Sequence, residues 1–298
     1  MTDMLGKPET QKFSTVFETS HLRVGCCSMQ GWRKSMEDAH VAQLNIGGCK
    51  KRAFFGVFDG HQSNEAARFC RAHMLDEVMK SADKYSDNYN SIFEEAFRSI
   101  DELICYKFSA SGTAANCVYL DKGKIVCANA GDSRAVLCRK GKAIPLSIDH
   151  KPYHPEEEKR IVDAGFSVEN GRVNMSLAVS RALGDVDFKT NKELSWKQQA
   201  VTALPDVKVM DFSKDDEFII LACDGIWDVL SCEDCCSLVS AKLKDLEKSE
   251  ESLTGDVDIS LVCEDVLDHC LSPTCGAREK GTDNMTIIIV QFKPEFFA

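Results

Sequence analysis

Ala53-Phe54-Phe55-Gly56-Val57-Phe58-Asp59-Gly60-His61 is an apolar run that stops at an acid, a glycine and a histidine, and Phe218-Ile219-Ile220-Leu221-Ala222-Cys223-Asp224-Gly225 repeats the arrangement far downstream. A continuous apolar run of this length reads as a strand buried on both faces, and Asp-Gly supplies the polar turn where the chain leaves the core. If the two strands lie side by side, Asp59 and Asp224 meet at one rim of a sheet, where like charges are tolerated when a cation holds them.

Outward from these strands, residues 21–28 and 39–46 read as short strands around a polar turn at 31–38, which leaves Arg33, Glu37 and Asp38 at a strand end. After His61, Ala66, Phe69, Cys70, Met74 and Val78 step by three and four, as do Phe93, Ala96, Phe97, Ile100 and Ile104, and this spacing predicts two amphipathic helices. Four short strands at 114–120, 124–130, 134–138 and 143–147, punctuated by Asp121-Lys122-Gly123, Gly131-Asp132-Ser133 and Arg139-Lys140-Gly141, predict an antiparallel meander. Pro155, the acids Glu156 to Glu158 and Gly165 bracket a short helix. Strands follow at 200–211 and 217–223, helices near 228–244 and 259–271, and a last strand at 285–292, while 247–252 is a solvated connection. Residues 1–20 are a polar surface segment or a first edge strand, and 166–200 are less regular. With no Pro/Gly/Ser linker, the pattern predicts one α+β domain over 21–298: a central β-sandwich of two antiparallel sheets flanked by helix pairs, in α/β/β/α layers.

The 298 residues suffice for one large core, and 44% hydrophobic with 28% charged content is ordinary for a globular chain. A net charge of −11 without a basic face argues against nucleic-acid binding. No run approaches the roughly 18 apolar residues of a membrane span, and the polar opening lacks the apolar core of a secretory signal. The expectation is an intracellular protein, cytoplasmic or nuclear, without membrane insertion and monomeric. Its fifteen cysteines, falling within strands and helices (Cys117, Cys127, Cys138, Cys223), read as mostly free thiols.

Several acids lie beside turn glycines or at strand ends: Glu37, Asp38, Asp59, Asp149, Asp224, Asp228 and Asp283. Any one of them alone reads as an ordinary turn residue. Together they are a set of oxygen donors, which selects Mg²⁺ or Mn²⁺ over zinc. Cys232-x-x-Cys235 and Cys26-Cys27 lack a second half for a zinc site.

Gly31-Trp32-Arg33, Met36-Glu37-Asp38-Ala39-His40, the 55–61 stretch, Asn129-Ala130-Gly131-Asp132-Ser133-Arg134, Asp149-His150-Lys151-Pro152, Leu177-Ala178-Val179-Ser180-Arg181-Ala182-Leu183-Gly184-Asp185, Ala222-Cys223-Asp224-Gly225-Ile226-Trp227-Asp228 and Asp283-Asn284-Met285-Thr286 closely resemble the metal-dependent protein phosphatases of type 2C, in the family's order and over about residues 20–292. The resemblance implies a serine/threonine phosphatase that hydrolyses phosphoproteins directly by a bridging water at a binuclear Mn²⁺/Mg²⁺ centre. Asp59 would bridge both metals, with the Gly60 carbonyl and Glu37 on one and Asp224 and Asp283 on the other. Asp38 would hold a metal-bound water; Asp149 and Asp228, with Asp224, match a weaker third-metal site. Arg33 matches the phosphate-binding arginine and His61 the general acid, while residues 166–200 correspond to a flap beside the site.

The charges suit that chemistry: two divalent cations balance the carboxylates of Glu37, Asp59, Asp224 and Asp283, and Arg33 leaves the site positive toward a phosphate dianion. Met175 stands where many members carry glycine, and Thr2 in place of glycine argues against N-myristoylation. The helical extension that follows the last strand in some members is not expected. Two rivals remain. Cys27 and Arg33 fit the Cys-x5-Arg spacing of thiolate phosphatases, but Cys26 precedes instead of histidine and Gly31 is the loop's only glycine. An inactive scaffold would retain the fold without needing a complete ligand set, whereas every implied ligand is present.

Overall fold

A computed structural model describes residues 4–248, 257–276 and 279–297. Two antiparallel sheets form its centre. The first contains β1 (Met4–Glu18), β2 (Leu22–Arg33), β7 (Arg134–Arg139), β8 (Lys142–Pro145), β13 (Asp216–Ala222) and β14 (Met285–Phe292), in the order β1-β2-β14-β13-β7-β8. The second contains β3 (Ala39–Gln43), β4 (Ala53–His61), β5 (Gly112–Asp121), β6 (Lys124–Ala130) and β12 (Asp206–Asp211), in the order β12-β6-β5-β4-β3, and the short β11 (Leu183–Gly184) pairs with β5. β9 (Val168–Glu169) and β10 (Arg172–Val173) make a separate small hairpin.

Three apolar interfaces hold the layers. Between the sheets, Phe55 and Val57 of β4 meet Val24 and Cys26 of β2, Ile219 and Leu221 of β13, and Ile288 and Val290 of β14. The alternate residues Phe54 and Phe58 face the other way, onto Phe93, Phe97, Met74 and Val78 of α1 (Glu65–Tyr85) and α2 (Tyr89–Lys107). On the far side, Ile220, Met285, Ile287 and Ile289 pack under Val239 and Leu243 of α5 (Cys232–Lys248) and Val262, Val266 and Leu267 of α6 (Ser260–Cys270). With α3 (Pro155–Asp163) and the single turn α4 (Asp224–Trp227), these complete the helices named here. The period-2 alternation of β4, with both phases apolar, is what a strand covered on both sides requires. Each fully buried Phe or Ile stabilises the fold by about 1.5–3 kcal/mol.

The expected α+β sandwich between helix pairs is therefore present, with local corrections. β4 and β13 are not neighbours in one sheet: β4 pairs β3 and β5, and β13 pairs β7 and β14, so the two apolar strands lie in opposite sheets. The expected meander is two hairpins in different sheets, β5-β6 and β7-β8, because the chain changes layer at Gly131-Asp132-Ser133. Gly131 turns there at φ 123°, and a Cβ on it would lie 2.3 Å from that of Ala114. Residues 31–33 continue β2, so the first polar turn is shorter than expected, and 200–205 precede β12 instead of belonging to it. Of the two readings of residues 1–20, the edge strand holds for Met4–Glu18. Within the supposed solvated run, residues 249–252 lie outside the described residues.

The 166–200 segment has a small core of its own, in which Val173, Leu177, Val179, Phe188 and Ala200 pack on Ile161 of α3. Beneath it lies a buried ionic network. Glu157 accepts from Arg181, from Arg160 (2.9 Å) and from Ser180 Oγ (2.6 Å), and Arg181 also donates to Asp206 (2.8 Å).

Candidate metal centre and active site

At one end of the sandwich the last residues of β4 and the turn after β13 face each other across the two sheets. Asp59 and Gly60 are still paired with Ala114 and Thr113 of β5. Gly60 runs against the backbone of Glu37, whose carbonyl oxygen would be 2.3 Å from any Cβ. Asp224 opens α4, and Gly225 is pressed equally hard against the Asn284 carbonyl at 2.0 Å from a Cβ position. Asp132 arrives from the turn that changes sheet, so carboxylate oxygens of Asp59, Asp132 and Asp224 all lie within 4.8 Å of one another. A second set joins Asp38 and Asp59 to the Cys223 thiol within the same span.

These groups resist carrying their charges. Burial, and then the neighbouring Asp224, Asp38, Asp132 and Asp283, raise Asp59 well above the usual carboxylate range. Burial followed by Asp132, Asp283 and Asp228 does the same to Asp224. Asp38 is pushed up to about 7, chiefly by burial, although Thr286 Oγ1 donates to its Oδ2 at 2.7 Å. Burial also raises Asp283, against the opposing pull of Arg33, and Asp228. Such a cluster of hard oxygen donors fits divalent cations, which would remove the repulsion.

Asn284 ties the surrounding turns together: its Oδ1 accepts from the Glu37 amide (2.9 Å) and its Nδ2 donates to the carbonyls of Gln30 (2.8 Å) and Ser35 (2.9 Å). Arg33 is ion-paired with Asp283 through Nη2, while its buried Nε has no partner among the described residues. Arg33 also lines a cleft of about 1120 Å³ whose lining includes Glu37, His61, Lys151 and Asp228. His61 Nε2 lies 2.9 and 2.7 Å from the two carboxylate oxygens of Asp185. Burial works against protonation of His61, but the Asp185 charge and hydrogen bond outweigh it and raise the ring above its ordinary value.

The cleft thus brings together Arg33, Glu37, Asp59, Gly60, His61, Asp224, Asp228 and Asp283, with Asp38 behind Asp59. Asp149 is placed elsewhere. Arg134 grips both its oxygens at 2.9 Å and itself lies over the Trp227 ring. Asp132 instead stands beside Asp224 and Asp228, held by Lys151. Asp132, Asp185, Lys151 and Asn284 are the participants that single acids at turns did not identify, although all four fall within quoted motifs. Cys27 is sealed in the core under α6, where burial pushes its thiol up to about 11, so no thiolate loop exists around Cys27 and Arg33.

A family model described as Protein phosphatase 2C matches residues 22–278. Protein phosphatase 2C homolog 2 of Schizosaccharomyces pombe is 40% identical, over 98% of this chain and 79% of its own length. Probable protein phosphatase 2C 21 of Arabidopsis thaliana is 37% identical, over 98% of this chain and 93% of its own. Among solved structures, a phosphatase from Toxoplasma gondii superposes with a TM-score of 0.78 at 26% identity, covering 95% of this chain and 96% of that one. A sandwich with a carboxylate-lined cleft at its end and these relatives define a metal-dependent hydrolase of phosphoproteins. The chain belongs to the protein phosphatase 2C family. It is a Mn²⁺/Mg²⁺-dependent serine/threonine protein phosphatase, and no helix among its described residues is long and apolar enough to cross a membrane.

Proposed function

We propose that Asp59, Glu37, the Gly60 carbonyl, Asp224 and Asp283 hold the two catalytic cations, with Asp132, Asp224 and Asp228 as a weaker third set. The observation that carries this reading is the convergence of Asp59, Asp132 and Asp224, from strands and turns of both sheets, within 4.8 Å. Bound there, Mn²⁺ or Mg²⁺ offsets the carboxylate charge and lowers the pKa of water enough for attack on phosphorus near neutral pH.

The chain's own groups do the rest. Arg33 binds the phosphate oxygens through its guanidinium, and its place in the cleft lining with a partly exposed side chain supports that role. Asp38, which accepts from Thr286 Oγ1 and stands beside the Cys223 thiol, orients the attacking water and holds its proton. His61 protonates the serine or threonine oxygen as it leaves. Residues 21–298 act as one catalytic domain, with 166–200 as the flap over the cleft, and one copy of the chain supplies every group named. A monomer is therefore sufficient. Fifteen unpaired thiols support an intracellular setting, cytoplasmic or nuclear.

Asp59→Asn and Asp224→Asn should each remove nearly all phosphopeptide hydrolysis and weaken Mn²⁺ binding by calorimetry while the circular dichroism spectrum is kept. Unchanged turnover and Mn²⁺ affinity in either variant would overturn the assignment.

A further inference from the structure

His61 is the one group of the cleft whose ring is gripped from behind. Both oxygens of Asp185 lie within hydrogen-bond reach of Nε2, at 2.9 and 2.7 Å, and the Asp185 side chain is wholly buried while that of His61 is 24% exposed to the cleft. A carboxylate accepts and does not donate, so Nε2 carries a proton and spends it on Asp185. Nδ1 is then the ring nitrogen left for substrate.

Asp185 has little freedom to do otherwise. It sits in the left-handed region at φ 53°, and its amide donates to the Ser111 carbonyl at 3.2 Å. The preceding Gly184 amide donates to the buried Asp101 of α2 at 2.7 Å, which pins the turn after β11 to that helix. Opposite the pair, Gly112 of β5 leaves the room it needs: a Cβ there would lie 2.2 Å from Asp185 Oδ2 and 2.2 Å from His61 Nε2. The chain has thus cleared space in one strand and anchored a turn from another segment to hold one imidazole.

We propose that Asp185 is the positioning residue of the reaction, fixing the ring and tautomer of His61 so that Nδ1 delivers the proton to the leaving oxygen. This rests on the acid role assigned to His61 above. In the step, the Nδ1–H bond breaks as an O–H bond forms on the serine or threonine oxygen. That oxygen keeps the electron pair of the breaking P–O bond, and the ring is left neutral with its proton on Nε2. Solvent returns the Nδ1 proton before the next turnover. Asp185 touches no substrate; it acts only through its hydrogen bond with His61 Nε2.

The test compares a phosphoserine peptide, whose alkoxide needs a proton, with p-nitrophenyl phosphate, whose leaving group does not, using the Mg²⁺-loaded full chain. Asp185→Asn keeps size and suits the left-handed conformation. It should lower kcat on the peptide by between about 10- and 100-fold and change p-nitrophenyl phosphate turnover by less than about 3-fold. Combined with His61→Ala it should add almost nothing to the single loss, and Gly112→Ala, which crowds the pair, should show the same selectivity between substrates. In ¹⁵N-histidine-labelled wild-type protein, NMR under conditions where the ring is neutral should show His61 protonated on Nε2, and this readout needs no variant to fold. Equal losses on both substrates in Asp185→Asn, full additivity with His61→Ala, or an Nδ1–H tautomer would each overturn the inference. If His61→Ala itself lowers both substrates alike, the acid role falls and the positioning role with it. If His61→Ala discriminates and Asp185→Asn does not, Asp185 is structural and the acid role stands.

Discussion

Replacing Glu157 by alanine should be among the most costly single changes outside the cleft. Its side chain is 5% exposed, and those of Arg160 and Arg181 are 15% and 12% exposed. Burial alone would push the Glu157 carboxyl up, but the Arg181 hydrogen bonds, the two guanidinium charges and Ser180 overcome it and hold it at about 2 instead of 4.5. At about 1.4 kcal/mol for each pKa unit, that difference makes the ionised network worth roughly 3 kcal/mol at neutral pH. The sign follows from the depressed value: the stabilisation is complete above about 4.5 and is lost as pH falls toward 2. Arg160 is held below its ordinary value because burial outweighs the attraction of Glu157, which makes this figure a ceiling for the intact network. Removing the carboxylate is worse than losing that benefit, since two buried cations are left facing each other, and such deletions cost about 3–5 kcal/mol. Urea unfolding at neutral pH with saturating Mg²⁺ measures the difference. A double variant that also carries Arg181→Met should recover about 2 kcal/mol of the sum of the single losses. A loss below about 1 kcal/mol, or full additivity with Arg181→Met, would refute the reasoning.

Met175→Gly should stabilise the protein slightly, by less than about 1 kcal/mol, because residue 175 sits at φ 58° and is 63% exposed, and the relief of left-handed strain exceeds glycine's entropy cost. Met175→Ala keeps the strain, so equal midpoints for the two variants in urea would remove this explanation. Metal removal should make stability fall as pH rises. Asp38 at about 7, and Asp59 and Asp224 raised likewise, bind protons in the native state that the unfolded chain has already released above about pH 4. In EDTA the melting temperature should therefore be higher near pH 6 than near pH 8, and saturating Mn²⁺ should flatten the slope; the same slope with and without metal would contradict the cluster's role.

The strands and helices that face a core on a regular period were legible in the sequence. The apolar runs ending at Asp59 and Asp224, the α1 and α2 spacings and the last strand all stand where their patterns put them. What a local pattern cannot carry is which partner a strand takes. The hairpins around Gly131 look alike one residue at a time, and only the pairing of β6 with β5 and of β7 with β13 shows the chain changing sheet there, at a glycine where any Cβ would clash with Ala114. That change of sheet brings Asp132 to the cleft, so a residue that reads as turn punctuation becomes a member of the carboxylate cluster. Asp149 lies apart from that cluster for the converse reason: its turn was located correctly, but Arg134 lies within reach and holds both oxygens. The β1 edge strand has no fully buried position, so no apolar period marks it.

The placement of β4 and β13 in opposite sheets has a consequence for assembly. Either sheet, completed alone with its helices, holds only part of the carboxylate set, and the cluster exists only once the two layers have docked in register. Cations held at this end, as proposed, would act as a rivet through the sandwich. Their affinity would then report how well the sheets are seated, and a side-chain change deep between the layers, at Phe55 or Ile288, should loosen metal binding without altering any of the proposed ligands.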